Sequence, residues 1–342
     1  MVTDPLPVIS LDKNLAVCLI IAWIVELAFG KPKLSSVLLK IFIRAVKGSV
    51  GGISEIAGRL SAYTGKNGSD GAASEKRVGI FLTFYLVSFS FILTAVLLEL
   101  SRAPHPFLYY FLNTLIFRWL LNSRGAADKA AAETATAGAD AGRAVAYLSK
   151  NCLDGITAPM FFITAGFFFG IPAAFGVAYK ALSVLDAAVG YKNEKYRNLG
   201  WAAARLDEAV NFIPSRICGL LLPLLAPFCG FGAAGMKRGL MATRNINSAR
   251  TYSNDYSSPN NALPAAAFAG IMELRLKYDG AGKNADCADN NAASVIDGAI
   301  GNNFREPTYE DIKKAIRLMI AASFAAQIIC GCLLYFLSIS IL

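Results

Sequence analysis

The chain contains one histidine, His105, and few charged residues. Charged side chains make up 17% of its 342 residues, whereas soluble domains carry roughly 25%. A zinc site built on several histidines is therefore excluded. A Ser-His-Asp catalytic set would have to use His105, which lies between two prolines at the end of an apolar block. The sequence also lacks CxxC, GxxxxGK[ST] and GxGxxG patterns, so neither a P-loop nor a dinucleotide fingerprint is supported.

Long apolar blocks are abundant instead, and 55% of the residues are hydrophobic. The two clearest blocks, 78–98 and 317–342, are long enough to cross ~30 Å of hydrocarbon as helices. The pattern predicts an all-α fold, a polytopic integral membrane helical bundle with helical cytoplasmic loops. The apolar blocks lie at about 15–29, 78–98, 107–121, 156–178, 212–235 and 317–342.

The distribution of Lys and Arg predicts the orientation. Nine lie in 30–77 and eleven in 237–317, but only one in 99–106, which places the first two segments inside by the positive-inside rule. We therefore expect a single multi-pass domain, 1–342, in the cell (inner) membrane with its active site on the cytoplasmic side. The net charge of +9 suits anionic lipid. No nucleic acid is expected as a partner, because the basic residues are dispersed. The predicted cytoplasmic segments are 30–77, 122–155, 179–211 and 236–316.

If block 156–178 crossed the membrane once, segment 179–211 would lie outside. That would conflict with the predicted orientation, because 179–211 carries five Lys or Arg. Glycines and Pro172 interrupt this block, and prolines interrupt the block at 212–235. Because proline breaks helix continuity, we predict broken helices with at least one re-entrant hairpin. Full crossings are the alternative.

Several local features are predicted outside the apolar blocks. Segment 126–146 is Ala-rich and should be helical, and 280–306 is rich in Gly, Asn and Asp, as in a mobile lid. Thr308 and Asp311 form a capping-box pattern that opens the last helix. Glu26, in the first apolar block, should face a cavity or the interface rather than lipid.

Residues 179–216 carry many polar groups between two apolar blocks. On a helix ended by Gly190, Tyr179, Ser183 and Asp186 share one stripe. The following Tyr-Lys-Asn-Glu-Lys-Tyr run offers ammonium groups for phosphate or carboxylate and phenol rings for a planar ligand. A basic, interface-anchoring loop is the alternative.

Two further segments add polar groups. In a helix starting near Gly200, Asp207 and Asn211 share a face, and Arg205 should pair with Glu208. Pro214 should close that helix. Residues 255–264 should form a rigid Asn-rich loop, followed by a helix with Pro264 near its first turn. A helix N-terminus binds anions, although any loop–helix junction has this property.

Together these segments resemble the adenosylcobinamide-phosphate synthase family of cobalamin biosynthesis, over about 150–320. The ungapped part of the resemblance is Lys180, Ala181, Leu185, Asp186, Val189, Gly190, Tyr191, Lys192, Asn193, Lys195, Tyr196, Gly200, Trp201, Ala204, Arg205, Leu206, Asp207, Asn211, Pro214 and Arg216. The flanking matches are Asn151, Asp154, Gly155, Ala158 and Pro159, then Ser258, Pro259, Asn260, Pro264, Ala266, Ala267, Ala269 and Gly270.

The chain also departs from the family pattern. The N-terminal motif survives only as Glu26, Gly30, Lys31 and Pro32, without its histidine, and the stretch expected near 124–140 is not recognisable. Ala265 stands where the family has Glu, and Ala262 where it has Gly. The chain thus resembles a divergent member of the family. An altered or lost activity is the alternative to the activity of the family.

The resemblance implies a ligase that uses ATP to attach aminopropanol phosphate or ethanolamine phosphate to the propionate of adenosylcobyric acid. Mg²⁺ is the expected cofactor with ATP, and the corrinoid and the amino-alcohol phosphate are the expected partners. The implied catalytic residues are Asp154, Asp186, Lys192, Arg205 and Asp207, with Asp186, Asp207 and Asp255 as metal ligands. The implied substrate-binding residues are Tyr191, Asn193, Lys195, Tyr196, Asn211, Arg216, Ser258 and Asn260. A transporter of an anionic solute and a non-catalytic scaffold are the alternatives, and a homo-oligomer or a complex of pathway enzymes remains open.

Overall fold

The computed structural model describes residues 12–30, 69–134, 140–189, 197–248, 259–277, 299–301 and 304–340. These residues are almost entirely helical, as predicted; two two-residue strands, β1 (Leu276–Lys277) and β2 (Ala299–Ile300), form a short antiparallel pair. The α-helices are α1 (Lys13–Phe29), α2 (Ser69–Arg102), α3 (Pro106–Leu120), α4 (Ser123–Thr134), α5 (Ala141–Asn151), α6 (Ala158–Phe167), α7 (Pro172–Val189), α8 (Trp201–Val210), α9 (Phe212–Leu225), α10 (Gly232–Ser248), α11 (Pro259–Met272) and α12 (Tyr309–Ser340). A π-helix, Cys152–Thr157, joins α5 to α6, and a 3₁₀ turn, Ala226–Cys229, follows α9.

Four stretches of described helix are long and apolar enough to cross a membrane. They make the chain a multi-pass membrane protein, as predicted. Their outer faces carry exposed apolar side chains, such as Phe81 and Leu100 on α2, which is the surface that lipid requires. The four stretches are Ala73–Arg102, Pro172–Val189, Phe212–Cys229 and Tyr309–Phe336.

Apolar block 156–178 is not one helix but a helical hairpin, which we call hairpin A (α6 and α7). The chain reverses at Gly170, whose φ of 73° is left-handed, a conformation that favours glycine. Phe162 stacks on Tyr179 with ring centroids 5.0 Å apart, and Gly176 lies against Ile163, so the limbs are antiparallel. The polar ends of both limbs therefore lie on the same side, as the predicted re-entrant hairpin requires. The depth of its turn in the bilayer stays a prediction.

Apolar block 212–235 forms a second hairpin, hairpin B (α9, the 3₁₀ turn and α10), with its reversal at Gly230 (φ 89°). Gly219 lies opposite Thr243, and Pro223 lies against Gly239. The prediction that this block is broken is confirmed. Pro214, however, does not close a helix: α8 ends at Val210 and Pro214 lies in the first turn of α9, where proline's missing N–H costs nothing.

The last helix begins as its capping pattern predicts and runs unbroken through the final apolar block. Thr308 donates its backbone N–H and its hydroxyl to Asp311 Oδ2, both at 2.8 Å. Asp311 is buried and takes a bidentate pair from Arg305, with both N–O distances 2.7 Å. This hydrogen bond and the Asp311 charge raise the pKa of the Arg305 guanidinium. The pair fixes the approach of the preceding segment to α12.

The first helix is tied to the core by a buried acid. Glu26 is fully buried, and its Oε1 accepts the backbone N–H of Arg124 at 2.8 Å. Arg124 lies in the first turn of α4, whose backbone N–H groups have no partners within the helix. The prediction that Glu26 avoids lipid is confirmed, and its contact stabilises a helix N-terminus. The predicted helix at 126–146 is present as two helices, α4 and α5: Asp140 is extended and caps the start of α5, and 135–139 lie outside the described residues.

Candidate functional site

The π-helix at 152–157 positions Asp154. One extra residue per turn displaces the backbone here, and π-bulges of this kind occur frequently at functional sites. Asn151 fixes the segment: its Nδ2 donates to the Asn122 carbonyl at 2.7 Å, while Asn122 Nδ2 donates to Asn151 Oδ1 at 2.7 Å. Gly155 is required here because a Cβ atom would lie 2.5 Å from Asn151 Oδ1. Asn151 and Gly155 therefore hold the backbone that positions Asp154.

Tyr179 is the centre of a cluster that joins three helical segments. It is buried, and its hydroxyl donates to Asn211 Oδ1 at 3.1 Å. Asp154 and Asp207 both lie close enough to act electrostatically on this hydroxyl. Asn211 is itself buried, at 3% exposure, where an unmade hydrogen bond is expensive. The contact therefore fixes the α8–α9 junction against α7.

Lys180 and Lys150 give the cluster its positive charge. Asp154 attracts Lys180, which Lys150 in turn repels, and Lys150 Nζ lies 3.9 Å from Asp154 Oδ2. Lys150 thus lies beside the Asp154 carboxylate, and Lys180 lies within its electrostatic reach. We call Asp154, Tyr179, Lys180, Asp207 and Asn211 the polar cluster.

Thiol chemistry at this site is not favoured. Cys152, at the start of the π-helix, is fully buried, and burial raises the pKa of its thiol well above the usual value. A buried protonated thiol is a poor nucleophile. Cys152 therefore contributes packing.

Asn260 links α8, α9 and α11. Its Nδ2 donates to the Glu208 carbonyl at 2.7 Å, and its Oδ1 accepts from Ser215 Oγ at 3.1 Å and from Arg216 Nη1 at 2.9 Å. The prediction that Asn260 lies in a loop is wrong. Asn260 lies in the first turn of α11, because Pro259 rather than Pro264 begins that helix. Proline is well suited to the first helical position. Pro264 lies inside the helix.

The other predicted residues on α7 and α8 lie around the cluster. Asp186 follows Tyr179 by two helical turns on the same stripe, about 10 Å along the axis. Arg205 pairs with Glu208 at 3.0 Å, as predicted. Two residues correspond to about 200° around a helix, so Arg205 faces away from Asp207, and its side chain is 67% exposed. The structure thus brings Asn211 against Tyr179, with Asp154 and Asp207 within electrostatic reach of the same hydroxyl, and it places Arg205 on the outer face.

Seven predicted site residues lie outside the described residues, and their roles stay predictions. They are Tyr191, Lys192, Asn193, Lys195, Tyr196, Asp255 and Ser258. Most of the predicted lid, 280–306, also lies outside them.

The carboxylates near Tyr179 are better suited to Mg²⁺, which takes only one or two protein ligands, than to a metal ion held entirely by protein side chains. Within the described part of the chain, no three His, Cys, Asp or Glu residues lie together. Mg²⁺ in phosphoryl-transfer enzymes, however, usually takes one or two carboxylates, with the rest supplied by phosphates and water. Asp207, within electrostatic reach of Tyr179, and Asp186, on the same helix as Tyr179, are the candidate carboxylates.

Four residues of the site were missed from sequence. Lys180 was matched to the family pattern without a role, and Lys150, near Asp154, was not singled out.

Tyr179 was placed on the stripe of Asp186 without a role, and Ser215, fully buried beside Asn260, was not singled out. Position within the polar run was the available signal for Tyr179 and Ser215. Their partners, Asn211 and Asn260, lie 32 and 45 residues away, and no local pattern links such distant residues.

The part of the chain that holds the site matches known proteins. The CobD/Cbib protein family matches residues 140–319. Cobalamin biosynthesis protein CobD of Klebsiella pneumoniae is 39% identical over 186 residues, which is 54% of this chain and 51% of that protein. CobD of Geobacter metallireducens is 41% identical over 133 residues, 39% of this chain and 37% of that protein.

CbiB of Salmonella typhimurium is 36% identical over 181 residues, 52% of this chain and 49% of that protein. These matches span about half the length of the curated relatives or less. No solved structure matches. With Asp154, Lys180, Asp207, Asn211 and Asn260 all inside the matched region, the chain belongs to the CobD/CbiB family of cobalamin biosynthesis proteins.

Proposed function

We propose that the protein catalyses ATP-dependent amide formation between the propionate of adenosylcobyric acid and the amine of aminopropanol phosphate or ethanolamine phosphate. The observation that carries this proposal is the polar cluster. Carboxylate, ammonium, phenol and amide groups from three segments that resemble the family meet in one partly buried place. A loop that only joined membrane helices would not need these groups, and burying them is expensive unless they act together.

The chemistry divides into two balanced steps. A propionate oxygen attacks the γ-phosphorus of ATP, and ADP leaves, which gives an acyl phosphate. The neutral amine then attacks the acyl carbon, phosphate leaves, and the amine nitrogen loses one proton to a base. Both steps concentrate negative charge and need a positioned proton acceptor.

The polar cluster offers groups for each of these requirements. Asp154 is the proposed base, because the π-helix holds its carboxylate at the polar cluster. Lys180 and Lys150 stabilise the charge that develops on phosphate oxygens. Asp207 and Asp186 are the proposed carboxylates for Mg²⁺, which when bound neutralises the ATP phosphates. Asn211, fixed by Tyr179, orients the amide-forming groups.

The remaining predicted residues complete the proposal. Lys192 and Lys195 would hold phosphates, and Tyr191 and Tyr196 would lie against the corrin ring; both pairs belong to the Tyr-Lys run beyond α7. Asn193, Asp255 and Ser258 keep their proposed substrate or metal roles, and Arg205 contributes charge from the rim. We further propose that the site lies on the cytoplasmic side, where ATP is available.

The test is a mass measurement on purified protein in lipid or detergent. We expect wild-type protein with adenosylcobyric acid, Mg-ATP and one of the amino-alcohol phosphates to form the amide product and ADP in equal amounts. Asp207→Asn should reduce the product at least 100-fold. Glu310→Gln is the matched control, because Glu310 is an exposed acid on α12 paired only at the surface with Lys313.

Three results would contradict the proposal. Folded wild-type protein that makes no amide with either amine would favour the non-catalytic scaffold. Uptake of an anionic solute into vesicles without product would favour the transporter. Full activity of Asp207→Asn would remove the polar cluster from the reaction.

A further inference from the structure

A groove runs between α9, α10 and α11, and none of its lining residues belongs to the polar cluster. Its cavity has a volume of about 340 Å³ and is lined by Arg216, Gly219, Leu220, Leu240, Thr243, Arg244 and Leu263. Two arginines are thus set into an otherwise almost apolar lining. We call it the arginine groove.

The groove has a charged end and an apolar end. In hairpin B, Gly219 lies opposite Thr243 and Pro223 opposite Gly239, which fixes the register of the two limbs. Arg216 on α9 and Arg244 on α10 therefore both lie toward the open end of the hairpin. Leu220 and Leu240 lie one turn nearer the Gly230 reversal. Charge and apolar surface are separated along the groove, rather than mixed.

Arg216 is held in position before any ligand arrives. Its Nη1 donates to the Phe212 carbonyl at 2.8 Å, to Ser215 Oγ at 3.1 Å and to Asn260 Oδ1 at 2.9 Å. Its guanidinium carbon lies 3.5 Å from the centre of the Phe212 ring. None of these partners is a carboxylate, so its positive charge is not neutralised by them. A fixed planar guanidinium is the group best suited to a phosphate.

We propose that the arginine groove binds an anionic phospholipid, with its phosphate between Arg216 and Arg244 and one acyl chain along Leu220 and Leu240. The groove is charged at one end and apolar further along, as a phospholipid is from its phosphate headgroup to its acyl chain. α9 belongs to a stretch long and apolar enough to cross the membrane, and Leu220 is 55% exposed, so lipid is the neighbouring molecule. Basic pockets between membrane helices bind anionic headgroups in this way. Arg216, which the family resemblance implies as a substrate-binding residue, is assigned to the lipid here, and the inference does not depend on the proposed ligase activity.

The test is native mass spectrometry of the full chain in detergent, titrated with phosphatidylglycerol or phosphatidylcholine. We expect wild-type protein to bind phosphatidylglycerol at least tenfold more tightly than phosphatidylcholine. Arg244→Gln should remove most of that preference. Lys237→Gln is the matched control, because Lys237 is exposed on the same helix, outside the groove, and it should bind as the wild type does.

A second variant leaves the charges untouched. Leu220→Gln should weaken phosphatidylglycerol binding several-fold, while Leu224→Gln, one turn further along α9, should not. Leu224 is 45% exposed, and the two variants place the same polar side chain at exposed positions of one helix, so each controls for the effect of the other on folding. These variants keep the test decisive if Arg244→Gln unfolds.

Three outcomes would overturn the proposal. Equal binding of the two lipids would remove the role of the arginines. Equal binding by wild type, Arg244→Gln and Leu220→Gln would place the lipid elsewhere. Displacement of phosphatidylglycerol by millimolar inorganic phosphate alone would make the groove a site for a soluble phosphate instead.

Discussion

Hairpin A and hairpin B each reverse at a glycine with positive φ, Gly170 in one and Gly230 in the other. Each also brings its limbs close through glycine, at Gly166 and Gly176 in hairpin A and at Gly219 and Gly239 in hairpin B. Their polar groups are placed differently. Hairpin A carries Tyr179 and Lys180 inward, against the π-helix and α8, whereas hairpin B presents Arg216 and Arg244 to an open groove.

This difference indicates that the two helical hairpins, although built alike, bind different kinds of molecule. Buried groups that neutralise and orient one another are suited to reacting molecules, because their geometry is fixed and water is excluded. Cations at the edge of an apolar groove are suited to a stationary anion with an apolar body. The predictions below test this contrast, from the largest expected effect to the smallest.

The largest effect is expected from removing a charge of hairpin A. Lys180→Met should reduce ATP-dependent amide formation about 100-fold or more, because Lys180 is proposed to stabilise charge on the transferred phosphate. Product mass against time is the measurement. Lys313→Met, at an exposed position on α12, should retain wild-type activity; equal rates in the two variants would leave Lys180 without a role.

An effect at least as large is expected for Asp186, the single acid of α7. Asp186→Asn should abolish product formation while the protein stays folded, because its carboxylate is proposed to hold Mg²⁺. Activity across a magnesium titration is the measurement. A variant with full activity at the wild-type magnesium requirement would refute the assignment.

Replacing a glycine by alanine should change the free energy of unfolding differently in the two hairpins. A Cβ on Gly166 would lie 2.6 Å from Pro172 Cα, so Gly166→Ala should destabilise hairpin A by about 1–3 kcal/mol. A Cβ on Gly219 would lie 3.4 Å from Leu263 Cβ, an ordinary contact. Gly219→Ala should therefore be neutral or stabilising by up to about 1 kcal/mol, from helix propensity. Thermal unfolding in detergent compares them, and equal losses would mean that the limbs of hairpin A are not in close contact.

The smallest effects are expected from single hydroxyl groups. Tyr179→Phe leaves buried Asn211 without this donor and should cost about 1–3 kcal/mol. Thr243 Oγ1 donates only to carbonyls of its own helix, at Gly239 and Leu240, so Thr243→Val should change stability by less than about 1 kcal/mol. The same unfolding assay applies, and a larger loss from Thr243→Val would reverse the comparison.

The sequence predicted what depends on local pattern. Apolar length predicted the membrane helices, the Thr308–Asp311 spacing predicted the start of α12, and the Arg205–Glu208 spacing predicted an ion pair; all three are confirmed. Pro172 and the glycines predicted a break, which the structure places at Gly170.

What could not be predicted depends on contacts between distant segments. Tyr179 with Asn211, and Asn260 with Ser215, are pairs whose partners are far apart in the chain. The start of α11 at Pro259 was missed because two prolines each fit a first turn, and only the packing of Asn260 against α8 and α9 distinguishes them. The π-helix has no local sequence signal of its own, yet it positions Asp154.

The most direct test of the account is whether the two limbs of hairpin A end on the same side of the membrane. Single cysteines would replace Arg143, before the hairpin, Phe169 at its turn, and Ala187 near its end, all of which are exposed, in a variant without the seven native cysteines. The measurement is labelling by a membrane-impermeant thiol reagent in right-side-out and inverted vesicles. The account predicts that positions 143 and 187 label from the same, cytoplasmic face and that position 169 does not label from that face. Labelling of 143 and 187 from opposite faces would separate Asp154 from Lys180 and contradict the polar cluster on which the proposed ligase depends.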